Sequence, residues 1–227
     1  MSGEKIYSFF MPSKYVIREF AENEYYHVFN RGVEKRKIFL DDQDYNIFLY
    51  YLFVYFASPE DVFRKYPALP LRLQGKNLSK EIEIIAYCLM PNHFHFLIKQ
   101  NSKDGVSKLL RQLANAYTKY FNSKYKRIGP LMQGRFKAAR IKDENSLIHL
   151  SRYIHLNPIV ANITESLKNY KWSSFPEYLG FNLGINCKRE KTLLSFPSVK
   201  EYEKFVLDQV SYVKELKGIR EILIDEE

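Results

Sequence analysis

The sequence has little of what would staple a small secreted fold or tether a chain to a membrane. It holds two cysteines, Cys88 and Cys187. Two cannot make a disulfide framework, and neither sits in a Cys-x-x-Cys pair, so a zinc-finger reading fails as well. Long hydrophobic runs are missing. The most apolar stretch, FLYYLFVYFA from Phe48 to Ala57, falls short of the roughly 20 residues that span a bilayer. The N-terminal MSGEKIYSFFMPSKY has no apolar core behind a basic stretch, so it does not read as a secretory signal. The expectation is a cytoplasmic protein without a membrane partner. Internal repeats and low-complexity tracts are also missing.

What is present is ordinary for a packed domain, with 46% hydrophobic and 27% charged residues among 227. Two features stand out. Aromatics are abundant, with 18 Tyr and 17 Phe beside a single Trp, and the net charge is +9. Eleven basic residues lie between Lys103 and Lys142 against one acid, Asp104. That stretch therefore carries +10 and the rest of the chain −1. A solvated basic face is the plainer reading. The other reading is a surface for a polyanion, since Lys and Arg contacts to phosphate supply most non-specific nucleic-acid affinity, and aromatics can stack on bases.

The pattern predicts a first strand, EYYHVFNR from Glu24 to Arg31, rich in aromatic and β-branched residues and closed by Gly32. Asp41 and Asp42 open an apolar helix to about Ala57. The prolines and glycine between Ser58 and Lys80 read as a mainly irregular connection. Glu81 to Met90 and His93 to Lys99 form a hairpin across Pro91-Asn92. A helix follows from about Lys103 to Ser123, with Val106, Leu109, Leu110, Leu113, Tyr117, Tyr120 and Phe121 on its apolar side. Arg135 to Ile141 reads as a fourth strand. The next helix is capped by Asp143 or Asn145 and is expected to end near Asn157, because Pro158 disfavours helical angles in its predecessor. Lys171 to Leu179 reads as a loop and Ser198 to Leu216 as a C-terminal helix.

This order is the split βαβ pattern. The expected fold is α+β: a ferredoxin-like antiparallel sheet with helices on one face, an added helix from about Asp143 to Asn157, and a C-terminal helical extension. Residues 1–162 would form the main domain, and 163–227 an extension packed on it.

The local chemistry concentrates in two places. His93-Phe94-His95 lies on a strand, where alternate residues share a face. Two imidazoles thus project together as a bidentate offer to a divalent metal, although the tripeptide by itself also reads as two surface histidines. In Tyr153-Ile154-His155-Leu156-Asn157-Pro158, a helix puts Tyr153 and Asn157 on one side. A tyrosine can attack phosphorus, and an amide oxygen can ligate a metal. His27, His149 and His155 compete as ligands, and each reads first as a structural or surface histidine.

Four ordered segments, YHVFNRG (Tyr26 to Gly32), AYCLMPNHFHFLI (Ala86 to Ile98), GPLMQGRFKA (Gly129 to Ala138) and YIHLNP (Tyr153 to Pro158), together resemble the single-tyrosine HUH transposases, most closely the REP-associated tyrosine transposases. HUH denotes histidine, a hydrophobic residue and histidine, which His93-Phe94-His95 fits. The resemblance implies His93, His95 and Asn157 as ligands of Mg²⁺ or Mn²⁺. The third position is often Gln in shorter insertion-sequence members. It also implies Tyr153 as the nucleophile that cleaves and rejoins single-stranded, hairpin-associated DNA through a 5′-phosphotyrosine. Arg31, Lys126, Arg127, Arg135, Lys137, Arg140 and Lys142 would contact the DNA backbone. Shorter relatives use dimers, which leaves monomer and homodimer open. Two rivals remain: a catalytically inactive nucleic-acid-binding regulator on the same fold, and a metal-dependent phosphodiesterase that uses water.

Overall fold

A computed structural model describes residues 20–181 and 185–210. The N-terminal segment discussed above and the end of the expected C-terminal helix lie outside the described residues. Strand β1 (Glu24–Arg31) leads through a short turn into helix α1 (Asp42–Phe56). Asp41 caps α1 by accepting a hydrogen bond from the Asp44 N–H, which satisfies one of the orphan donors of the first turn. Two short helices follow, α2 (Pro59–Lys65) and α3 (Leu71–Gln74). They correct the expectation of an irregular connection: the Ser58 side chain accepts from Asp61 N–H, and Pro59 occupies the first turn, where its missing donor costs nothing.

The hairpin comes next, β2 (Ile82–Met90) and β3 (His93–Gln100), then α4 (Gly105–Lys124), β4 (Lys137–Ile141) and α5 (Glu144–Val160). The sheet has the order β2-β3-β1-β4, and every pairing is antiparallel. This is the strand order of a split βαβ fold, as the sequence predicts. Helices α1 and α4 cover one face. Phe48 of α1 packs on Phe94 and Phe96 of β3 with ring centroids 5.4 and 6.3 Å away. All but Tyr120 of the expected apolar residues of α4 are buried. Tyr120 is half-buried and donates to Asp44 at 3.0 Å.

Helix α5 lies on the opposite face. It does not end at Asn157: it runs through Pro158 to Val160. Pro158 cannot donate to the Ile154 carbonyl four residues back. The Asn157 amide nitrogen bends onto that turn instead, donating to the Tyr153 carbonyl at 2.8 Å and reaching the Ile154 carbonyl at 3.5 Å. A side chain thus carries the helix across a residue that sequence reasoning treats as a stop.

Beyond α5 come α6 (Phe175–Tyr178), α7 (Glu190–Leu193) and α8 (Val199–Leu207). Helix α6 falls inside the segment expected to be a loop, and α8 lies within the expected C-terminal helix, whose end is outside the described residues. The extension covers the outer edge of β2. Leu89 N–H donates to the Trp172 carbonyl at 2.9 Å, Lys188 N–H donates to the Ile84 carbonyl at 2.8 Å, and the Tyr178 hydroxyl donates to the Ile85 carbonyl at 2.9 Å. Covering an edge strand removes a template for unwanted pairing.

A candidate catalytic site on the histidine face

The alternation of β3 separates packing from chemistry. Phe94 and Phe96 point to the helix-covered face, and His93 and His95 point to the face where α5 lies. Strand register extends this row: Cys88, His95, Phe29 and Lys137 are consecutive partners across the four strands, and Arg31 pairs with His93. Three of the four sequence motifs meet at this end of the sheet. Gly32 N–H donates to the Asn92 carbonyl at 2.8 Å, and Gln133 N–H donates to the Arg31 carbonyl at 2.7 Å. Gly32 is required by this crossing, because a Cβ there would lie 2.2 Å from the Arg36 carbonyl oxygen.

The fourth motif comes down from α5. The Tyr153 ring stands edge-on to His95 and His27, with centroids 5.6 and 6.0 Å away. His93 and His95 are 4.9 Å apart by ring centroid. His27, which sequence reasoning left as a competitor, is a diagonal neighbour of His95, and its Nε2 lies 2.9 Å from His95 Nδ1. The other competitors stand elsewhere. His155 is buried with both ring nitrogens engaged, Nδ1 2.8 Å from the Tyr202 hydroxyl and Nε2 2.8 Å from the Ser174 hydroxyl. His149 Nδ1 lies 2.6 Å from Arg152 Nη2.

Burial sets the protonation of the cluster. It pushes His27 down to about 3 and His93 to about 4, the latter helped by the nearby Arg31 guanidinium. His95 is held well below the usual imidazole range by burial and by its two histidine neighbours. All three are therefore neutral near pH 7. Burial raises Tyr153, and the Asn157 side chain beside its hydroxyl pulls it partly back.

Neutral imidazoles can ligate a cation, and the hydrogen bonds say which nitrogen is available. Asn92 Oδ1 lies 2.6 Å from His93 Nδ1. A carbonyl oxygen only accepts, so His93 Nδ1 carries the proton and Nε2 keeps its lone pair. The Asn157 amide nitrogen is turned to its own helix, which leaves its oxygen as the group that could join such a set. Among the described residues no group of three or more His, Cys, Asp or Glu is placed to hold a metal. Two imidazoles and one amide oxygen form a sparse set, suited to a divalent ion that keeps open positions.

The seven basic residues divide. Arg31 donates from Nε to Gln133 Oε1, and with Lys137 it lines a cavity of about 140 Å³ beside Phe29. Arg135 and Lys142 are exposed, and so is Lys126, whose φ is 51°. Arg127 is half-buried and donates to Asn122 at 2.8 Å. Arg140 is tied to Glu24. Elsewhere in the basic stretch, Lys108 pairs with Glu81 at 2.6 Å, and Lys124 pairs with Asp41 and Asp44 at 2.7 and 2.9 Å.

Known proteins resemble the chain in sequence and in fold. Residues 68–157 match the family model described as "Transposase IS200 like". The match takes in the HUH hairpin, the basic strand and Tyr153, and leaves β1 outside. A REP-associated tyrosine transposase of Haemophilus influenzae is 29% identical over 104 residues, which are 41% of this chain and 58% of that relative. The chain thus matches under two thirds of that relative's length. The solved structure of a REP-associated tyrosine transposase bound to a REP hairpin superposes with a TM-score of 0.51 at 18% identity, over 75% of this chain and 87% of that one. No described helix is long and apolar enough to cross a membrane. The chain thus resembles IS200-like transposases through a family model, and REP-associated tyrosine transposases through a sequence relative and in fold.

Proposed function

We propose that this chain is a DNA strand transferase that cleaves and rejoins single-stranded, hairpin-associated DNA through Tyr153, with Mg²⁺ or Mn²⁺ held by His93, His95 and Asn157. The observation that carries the reading is the placement of Tyr153 over the paired histidines of β3, with centroids 5.6 Å apart from His95. The Tyr153 oxygen attacks the scissile phosphorus. An O–P bond to tyrosine forms and the P–O3′ bond breaks, leaving a 5′-phosphotyrosine and a 3′-hydroxyl. The phenol loses its proton as it attacks, and the departing 3′ oxygen gains one. Attack by another 3′-hydroxyl reverses the step and joins a new end, so no nucleotide cofactor is needed. The metal, when bound, polarises the phosphoryl oxygen and orients the bond for in-line displacement.

The chain's own residues prepare the site. His95 and His27 share one proton across their 2.9 Å contact. When His95 Nδ1 donates to His27 Nε2, His95 Nε2 keeps its lone pair for the cation. His27 thus acts as the outer partner that orients a metal-binding imidazole. Asn157 braces the Tyr153 turn through its amide nitrogen. Arg31 and Lys137 offer positive charge beside the cluster for backbone phosphates, with Arg135, Lys126, Arg127 and Lys142 further out.

The test is a denaturing gel with end-labelled hairpin-bearing single strands and Mn²⁺. Wild type is expected to leave a labelled protein adduct, and Tyr153→Phe, which removes one oxygen and little volume, none. Cleavage without adduct would assign a water-using phosphodiesterase, and binding without cleavage a regulator. An adduct that persists in Tyr153→Phe would overturn the role of Tyr153.

A further inference from the structure

We propose that a basic groove on the helix-covered side of the sheet binds the phosphate backbone of a single DNA strand leading away from the cleavage site. The inference rests on the strand-transferase reading above for the identity of the polymer, and on the following observations for its location.

The groove encloses about 750 Å³ between α1, α3 and α4. Its walls carry Arg72, Lys76, Arg111 and Lys119, all exposed and none in an ion pair among the described residues. No acidic side chain lines it. Lys124, which also lines the groove, is paired with Asp41 and Asp44, and outside the groove Lys108 and Arg140 are neutralised by carboxylates. Four cations unpaired among the described residues, held on α3, the turn after it and α4 around one depression, are a site for repeated negative charge.

Tyr51 and Tyr120, half-buried in the same wall, add rings on which bases can stack. That feature favours a single strand over a duplex, whose bases are already stacked.

The groove also connects to the histidine face. Arg111 is a wall shared with a second cavity of about 310 Å³, which contains Arg135 and Asn30. Asn30 is shared in turn with the small cavity of Arg31 and Lys137. Arg31 pairs in register with His93. A strand can therefore pass from the histidines, around the end of the sheet at the Gln133–Phe136 loop, to the groove, meeting Arg or Lys at each stage.

The experiment compares full-length wild type with R72Q/K76Q/K119Q. All three positions are exposed, and unchanged thermal unfolding confirms that the variant folds. Fluorescence anisotropy measures binding of dT30 and of a 15-base-pair duplex against salt. Lysine acetylation read by mass spectrometry reports protection, with exposed Lys200 on α8 as internal control. At a slope of about 0.7 per phosphate contact on single strands, the dT30 salt dependence is expected to flatten by about two units in the variant. In wild type, dT30 should protect Lys76 and Lys119 but not Lys200, and the duplex should protect neither lysine. Bound dT30 with Lys76 and Lys119 as reactive as before, or an unchanged slope, overturns the groove and leaves the Tyr153 reading standing. Protection by the duplex alone overturns the single-strand assignment. No binding of dT30 by wild type overturns the nucleic-acid reading itself, which the adduct gel tests separately.

Discussion

Two histidine clusters sit under the same helix and teach opposite lessons. Around His155 every ring nitrogen is used: Tyr202 and Ser174 hold it at 2.8 Å on each side, and Ser174 also accepts from the Tyr87 N–H at 2.8 Å. That knot ties α5 to the C-terminal extension and to β2. Around His95 the accounting is incomplete. His27 takes one nitrogen of His95, and Asn92 takes one nitrogen of His93. One lone pair on His93 remains, and the shared proton between His27 and His95 determines whether a second remains. Burial makes both clusters neutral. What separates structure from chemistry is hydrogen-bonding capacity left unspent.

The sharpest way to break this comparison is to remove each cluster in turn. Replacing His93 and His95 together with Ala should lower metal-dependent cleavage by roughly a thousandfold or more, since the ion that stabilises the phosphoryl charge is lost. Binding of DNA by the folded variant should survive; losing buried His95 leaves His27 without that partner, so some stability is lost although Phe94 and Phe96 still pack the other face. Cleavage at the wild-type rate by the double variant would remove these residues from the site. His155→Ala should show the reverse pattern. It leaves the Tyr202 and Ser174 hydroxyls unpaired in the core, which costs about 2–4 kcal/mol of stability, while adduct yield per folded molecule holds. Chemical denaturation run beside the gel reads both.

The His155 knot also predicts an acid limit. Burial lowers His155 to about 3 from the usual imidazole value of 6.5. The unfolded chain therefore takes up that proton first. The stability linked to His155 is complete above about pH 6.5 and declines as pH falls toward 3. Denaturant midpoints between pH 7.5 and 4.5 should fall steadily in wild type and less steeply in His155→Gln. Equal slopes would place the acid sensitivity elsewhere.

A smaller effect separates His27 from its neighbours. His27→Phe keeps a ring against Phe29 but cannot accept from His95 Nδ1. Mn²⁺ affinity by calorimetry should weaken about 10- to 100-fold. His27→Gln, which retains an acceptor, should recover part of it. In ¹⁵N spectra of the metal-free protein, the His95 proton should sit on Nδ1 in wild type and redistribute in His27→Phe. Unaltered spectra and affinity would make His27 a packing residue.

The smallest expected change divides the basic strand. Lys137→Gln should lower the salt slope of single-strand binding by about 0.7 units. Arg140→Gln should alter it less, because Arg140 is occupied by Glu24. Equal losses would mean that the Glu24 pair opens on binding.

Much of this architecture is legible along the chain because it is local. The alternation His-Phe-His, the helix starts at Asp41-Asp42 and at Asp143 or Asn145, of which Asp143 is the cap, and the apolar spacing from Val106 to Phe121 each follow from geometry within a few residues. The β1 boundaries, Glu24 and Arg31, coincide with the expected strand. The errors come where a distant or unusual partner supplies what a local rule withholds. Pro158 stays within a helix because Asn157 folds back on the preceding turn. The segment read as irregular after Ser58 forms two short helices, and one of them delivers Arg72 to the groove.

Sequence alone therefore determined the strand order, the residue types at the site and the face on which His93 and His95 stand, since side-chain direction on a strand or helix is set by backbone period. Only the tertiary structure decided which histidines meet. His27 and His95 are 68 residues apart and touch through strand register, while His155, two residues from Tyr153, turns away into the core. It likewise decided how the basic residues divide: among the described residues Arg72, Lys76 and Lys119 have no ion pair, while Glu24 takes Arg140. Charge and ligand capacity depend on contacts between distant segments, and no local spacing specifies those.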